Sequence, residues 1–400
     1  MLRRVFKYTQ ILIFGVIIYM SGCEQKFDLT QLPDPGQPIT SLDTNYVEIY
    51  PPWGGFESPR AIIVGNDQLI YVADYGRDEI VMMDAGGTVL NRRTVMRPIS
   101  IAHNSKLDLY VGGETISQNG DTIGALFRIF LVRFDTSNVI RVDTIVDSLT
   151  GRIRLIPIRR DTSYFLNHNI DIAPMHTVWK EPARPQRRFT GIGILPNNDY
   201  LVARVGPENS SFVDPDARVL YFNKGDTLIT PLGDLVTRPS GGTAITDIRN
   251  LTGIMVFPSS RDFILTQSIE GVAYGAIWMV YQKTLDFEGW LPKYDPSKAE
   301  QRVVDFIRPY RFRQASGVAY DRRRRDVFII DSGLDSLIKF NRNGQFKTES
   351  FGYAKTTSGL FPGLNRPNGV AFSNDCTLYI ADTGNKVIRR FKLSNQTQCN

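Results

Sequence analysis

Three aspartates in this chain end short apolar runs: Asp74 closes LIYVAD, Asp331 closes DVFIID and Asp382 closes TLYIAD. Upstream of each run lies an opener with a small residue near its centre, SPRAIIV, QASGVAY and RPNGVAF respectively. Looser copies keep the same order: RPISIAH with DLYVGG, RFTGIGI with DYLVAR, and NLTGIMV with DFILTQ. If these six units gather around one axis, two sets of side chains meet. Arg60, Ile99, Thr190, Thr252, Ser316 and Asn368 precede the small residue of each opener; Asp74, Gly113, Arg204, Gln267, Asp331 and Asp382 end each second run. Hydroxyls, amides, guanidinium groups and carboxylates around a common mouth could grip a polar ligand. Asn and Asp oxygens brought together could also hold a divalent ion. The competing role is local, because Asp and Asn at strand ends bond nearby backbone amides and shape turns.

Other chemistry is thinly represented. The histidines are His103, His168 and His176, and the spacing of the last two fits no common zinc-ligand set. No nucleophile elbow, phosphate loop or dinucleotide fingerprint occurs. Removing the three leader cations Arg3, Arg4 and Lys7 from the net charge of +6 leaves +3, and no basic stripe interleaved with aromatics appears, so nucleic acid is not an expected partner. The run Arg322 to Arg325 falls in a predicted hairpin turn and reads as a solvated turn.

The elements that must position these residues are strands. Each unit adds a third alternating run, clearest in EIVMMD, SLIKFN and KVIRRF, and β-branched and aromatic residues bounded by Gly, Asn and Asp are the strand signature. A self-similar unit of roughly 40 to 50 residues with three or four strands is the pattern of a propeller blade. The composite motif P-x-G-V-A…L-Y-x-A-D-x-G-N-x-x-I resembles the NHL repeat, a six-bladed β-propeller family, over most of residues 45 to 393. The resemblance implies an all-β fold of six four-stranded antiparallel blades spanning residues 45–400. The small residues Ala61, Ser100, Gly191, Gly253, Gly317 and Gly369 anchor the units, and their longest interval, from Ser100 to Gly191, is read as holding an insertion at about 138–186 rather than a seventh blade. A second insertion is expected at 283–301. Tyr164, Phe165, His168, Met175 and Trp179 in the first, and Phe287, Trp290 and Tyr294 in the second, could contact a partner or pack on the propeller flank.

Blade 6 runs out of chain after its third strand, and an unpaired edge there would expose hydrogen-bonding groups. NYVEIY, residues 45–50, alternates suitably and is predicted to supply the missing outer strand. Asn368-Gly369 and Asp382 look like pieces of the sugar-lactonase propellers, in which Asn and Asp from different blades hold a divalent ion. That family also needs a glutamate near the first blade, where this chain has Arg60 and Ala61.

The N-terminus supplies an address. Basic residues, an apolar run from Ile11 to Met20 and then Ser21-Gly22-Cys23 form a secretory signal, because so short a run cannot cross a bilayer that needs about 20 apolar residues. Met20-Ser21-Gly22-Cys23 resembles the bacterial lipobox, which implies signal peptide 1–22, lipid attachment at Cys23 and a Pro-containing tether over 23–44. The remaining cysteines, Cys376 and Cys399, are expected to pair in an oxidising compartment. The expectation is therefore a monomeric propeller, exported and anchored to a membrane of the cell envelope, the outer membrane being favoured. It would bind a protein, peptide or glycan without catalysis. No cofactor is expected; the alternative is a metal-dependent hydrolase or lyase, for which calcium would be the ion.

Overall fold

The computed structural model describes residues 45–135, 140–146, 153–160, 163–166, 170–211, 213–233, 235–237, 246–268, 273–352 and 363–394. The signal segment, Cys23, the tether, His168 and Cys399 lie outside the described residues.

Consecutive runs pair into meanders. Blade 1 is Pro59–Val64, Ile70–Asp74, Glu79–Met83 and Val89–Thr94. Blade 2 is Met96–His103, Asp108–Ile116, Thr122–Phe130 and Met175–Lys180. Blade 3 follows with Arg188–Ile194, Tyr200–Val205, Arg218–Phe222 and Leu228–Pro231. Blade 4 comprises Leu251–Val256, Phe263–Gln267, Ala276–Lys283 and Glu288–Pro292. Blade 5 comprises Ala315–Asp321, Asp326–Asp331, Ser336–Phe340 and Phe346–Phe351. Blade 6 has Gly369–Phe372, Leu378–Asp382 and Val387–Leu393 as its first three strands, and its fourth is Tyr46–Glu48 from the other end of the chain. The first strand of each blade contacts that of the next, and that of blade 6 contacts that of blade 1. The chain is a six-bladed β-propeller.

Each hydrophobic core lies between two blades. Leu201 and Val219 of blade 3 pack on Phe263, Leu265 and Trp290 of blade 4, for example, and Ile70 and Val72 of blade 1 pack on Tyr379 and Ala381 of blade 6. A middle strand is therefore covered on both faces. This explains why IYVAD and DVFIID read as unbroken apolar runs and are buried at every position. At about 1.5–3 kcal/mol for each large apolar side chain fully buried, the six inter-blade layers dominate the stability of the fold.

The predicted closure occurs in antiparallel register, with Tyr46 opposite Leu393, Val47 opposite Lys392 and Glu48 opposite Phe391. Arg389 holds Glu48 through two bonds of 2.8 and 2.6 Å, and the Tyr46 ring lies 6.0 Å from Phe328 and 5.7 Å from Phe351 of blade 5. The closing strand thus ties the chain's first described residues to two blades.

Both insertions need correction at their edges. Met175–Lys180, inside the expected 138–186, is the outer strand of blade 2 and pairs with Ala125 to Ile129. The excursion itself contains two antiparallel pairs, Val132–Asp135 with Ser163–Leu166 and Ile140–Val146 with Ile153–Arg160. Glu288–Pro292, inside the expected 283–301, is the outer strand of blade 4. Outer strands have one face toward solvent, so their runs are too polar to match the inner consensus.

Candidate functional site

Equivalent positions of neighbouring first strands meet around the axis. A Cβ on Gly317 would stand 2.5 Å from the Asn368 carbonyl oxygen, and one on Gly369 would stand 2.9 Å from that of Arg60. That contact is the physical reason for the small residue in every opener: the innermost strands touch backbone to backbone, and a side chain would push the blades apart.

The strands enclose a channel of about 470 Å³. Of the sequence-predicted residues, Arg60, Thr190, Thr252, Ser316 and Asn368 line it, together with Ile99. Most of these polar groups are already bonded across blades. The Thr190 hydroxyl donates to the Leu251 carbonyl at 2.6 Å, Thr252 to Ala315 at 2.7 Å and Ser316 to Pro367 at 3.3 Å. Ser100 continues the pattern to Phe189 at 2.7 Å, and Thr383 bonds the Pro59 carbonyl at 2.5 Å. Asn368 donates to the Arg366 carbonyl and to the Thr383 hydroxyl, at 3.1 and 3.0 Å. Arg60 is exposed, with its guanidinium 3.9 Å from the centre of the Tyr75 ring.

The second set does not line the channel. Asp74, Arg204, Gln267, Asp331 and Asp382 are all buried. Asp74 accepts from the amides of Glu57 and Ser58 at 2.8 and 2.7 Å. Asp331 accepts from the amides of Arg313, Gln314, Gly333 and Leu334, at 2.7 to 3.2 Å. Asp382 accepts from the Asn365 amide and the Asn385 side chain, both at 2.8 Å; burial pushes its carboxyl above the ordinary range despite these bonds and Arg389. Gln267 takes the Arg249 amide at 2.8 Å and gives to the carbonyls of Asp247 and Tyr274. Arg204 inverts the charge: it bonds Glu181 and Asp214, each at 2.8 Å. These residues fix the segment that enters each blade.

At the other mouth the channel is lined by His103, which ends the first strand of blade 2, and by Asn66, Ser105, Asn198 and Arg322 from the turns that follow the first strands. His103 Nδ1 accepts the Asn66 amide at 3.0 Å, which fixes the proton on Nε2, and burial pushes the imidazole pKa down against the opposing field of Asp67. None of these five was read from the sequence as a binding residue except through the arginine run.

The arginine run does lie in the predicted turn, between the first two strands of blade 5, and all four residues are exposed. Beside it opens a second cavity of about 650 Å³, lined by Trp278, Lys293, Tyr320, Arg322, Arg325 and Arg342 among others. The insertion aromatics sort differently. Trp290 and Tyr294 are buried, with the Trp290 indole donating to the Arg261 carbonyl, and Trp179 packs edge-on against Phe222. Tyr164 and Phe165 lie on the strand Ser163–Leu166.

No protein-family model matches the chain, and no curated protein does. Solved structures do match. A luciferin-regenerating enzyme superposes with a TM-score of 0.51 at 12% identity, covering 88% of this chain and 96% of that one. The PQQ-bound aldose sugar dehydrogenase from Streptomyces coelicolor gives 0.51 at 12%, over 88% and 99%. A glucose dehydrogenase gives 0.52 at 10%, over 88% and 100%. The likeness is one of fold.

Proposed function

We propose that the protein is an exported, lipid-anchored propeller of the cell envelope that binds a protein, peptide or glycan in its channel without transforming it. One observation carries the reading: the channel draws on all six blades, and its described lining includes Arg60 and Arg322 but no carboxylate. Two guanidinium groups with no carboxylate among them suit a neutral or anionic polar ligand. Calcium takes roughly six to eight oxygen ligands, several of them carboxylate. Here the described lining offers hydroxyl and amide oxygens but no carboxylate, and the oxygens of Asp382 are engaged away from the channel. Cys23 provides the anchor in this reading, and a Cys376–Cys399 disulfide staples blade 6 in the oxidising compartment. In this reading the working unit is a monomer.

Crosslinking in intact cells, with mass spectrometry of the captured neighbours, tests this. A partner held by the native protein and lost from Ile99→Trp, which fills the channel, is the expected outcome, with the melting temperature checking that the variant folds. Cys23→Ser should leave the membrane fraction. Stoichiometric calcium in the purified protein, lost from Asn368→Ala, would overturn the reading in favour of a metal-dependent hydrolase or lyase.

A further inference from the structure

Most buried arginines in this propeller are neutralised. Arg128 pairs with Asp108 and Asp226, Arg187 with Glu181, Asp214 and Asp216, and Arg389 with Glu48 and Asp382. The cavity beside blades 4 and 5 gathers cations that are not buried and not paired in that way. Lys293, Arg322, Arg325 and Arg342 all line it, and among the described residues none has a carboxylate within 4.0 Å. Asp262 is the one acidic residue in the lining, and one of its oxygens accepts the Tyr281 amide at 2.9 Å. Four cations around one acid, against aromatic walls that focus their field, leave a strongly positive concavity.

The Lys293 ammonium is held in place. It lies 3.5 Å from the centre of the Trp278 ring and donates to the Arg342 carbonyl at 2.7 Å. One of its three protons goes to that carbonyl and the ring covers a second side, which leaves an N–H for a ligand. The half-buried ring of Tyr320 and the hydroxyl residues Ser259 and Ser260 complete the lining. A void of about 650 Å³ far exceeds a single inorganic anion.

We propose that this cleft is a binding site for an acidic oligosaccharide. Its anionic groups would meet Lys293, Arg322 and Arg342, and its sugar faces and hydroxyls would meet Tyr320, Ser259 and Ser260. Arg322 also lines the channel, so the cleft adjoins the mouth at which the blade turns converge. This site stands whether or not the channel itself is occupied.

Calorimetric titration of the full-length protein with trigalacturonate tests the assignment. Saturable binding is expected, weakened about tenfold by Arg322→Gln or by Arg342→Gln, as for loss of one charge-assisted hydrogen bond. Lys224→Gln, an exposed cation on blade 3, should leave it unchanged. Both arginines are exposed, so the variants should fold, and their melting temperatures check this. Equal affinity for neutral maltotriose, unchanged affinity in both variants, or no binding of trigalacturonate would each overturn the assignment. Inorganic phosphate binding as tightly as the sugar would reduce the cleft to a bare-anion site. Displacement of the sugar by vesicles of phosphatidylcholine and phosphatidylglycerol would make it a membrane-facing patch instead.

Discussion

Polar side chains ring the channel at both mouths, and the two rings differ in what they bond. At the opener mouth, hydroxyls from Ser100, Thr190, Thr252 and Ser316 reach carbonyls of the following blade or of the segment entering it. Behind them, Asp74, Asp331 and Asp382 bind the amides of the segments that enter their blades. At the turn mouth, hairpin bonds already satisfy the backbone, as in the Gly65 amide to Leu69 and the Ser373 amide to Thr377. Side chains bridge some blades there too, His103 accepting the Asn66 amide and Asn198 the Ser105 amide and hydroxyl, but the exposed side chains of Arg322 and Arg342 take no part in those described bonds. The difference teaches where recognition can reside. A position whose polar atoms hold the fold together cannot be turned toward a ligand without loosening a blade, whereas Arg322 or Arg342 can.

The sharpest way to break that comparison is Asp331→Ala. Three backbone amides lose their acceptor in a buried site and that of Leu334 keeps only the residue 331 carbonyl at 3.3 Å, so the expected loss of stability is about 3 kcal/mol or more. Denaturant unfolding reads it. A variant of native stability with impaired ligand binding would move Asp331 from scaffold to site and erase the distinction between the two mouths.

A second test uses pH at the turn mouth. Burial brings Lys293 down to about 8 from 10.5, against the raising field of Asp262. The groups around it are Asp262, Arg322, Arg325 and Arg342 in the cleft, and the rings of Trp278 and Tyr294; burial pushes the Tyr294 hydroxyl up, out of the working range. A bound anion favours the ammonium form. Affinity for an acidic sugar should therefore hold below about pH 8 and fall above it by up to tenfold per unit, and Lys293→Gln should flatten the profile. Stability has the opposite sign. The unfolded chain holds this proton more tightly, so the cost of burying the charge is constant below about pH 8. It lifts as pH rises from there toward 10.5. A pH-independent affinity would remove Lys293 from the ligand's contacts.

Blades 1, 5 and 6 could be read directly because their polar consensus performs one job in one way: an aspartate at the end of the second strand binds the entering amides. Blade 3 does the same job with reversed charge. Arg204 stands at the aspartate's place, and its carboxylates come from Glu181, before the blade, and Asp214, on the connection after its second strand. Blade 4 uses the neutral Gln267. Strand pattern survived these changes because it is set by burial on both faces, so the fold could be foreseen; the closing strand followed from the unpaired edge of blade 6. The outer strands of blades 2 and 4 could not, since one face of each is solvated. The cleft was half visible. Four consecutive arginines were evident as a turn, but nothing in the order of residues brings Lys293, Arg342 and Trp278 beside them; that proximity exists only once blades 4 and 5 are packed.

The smallest effect is the most discriminating for the opener mouth. Thr252 is half-buried, lines the channel and donates to the Ala315 carbonyl at 2.7 Å, with the Thr266 hydroxyl 3.1 Å away. Thr252→Val keeps the shape and removes the donor. If the hydroxyl serves only the ring, unfolding should show a loss of about 1 kcal/mol, the net worth of one intramolecular hydrogen bond, and ligand affinity should not change. If the same hydroxyl also meets a ligand in the channel, through the lone pairs that its bond to Ala315 leaves open, affinity falls along with stability. The sign of that single contrast decides whether the opener mouth is scaffold alone or shares the recognition assigned to the opposite end.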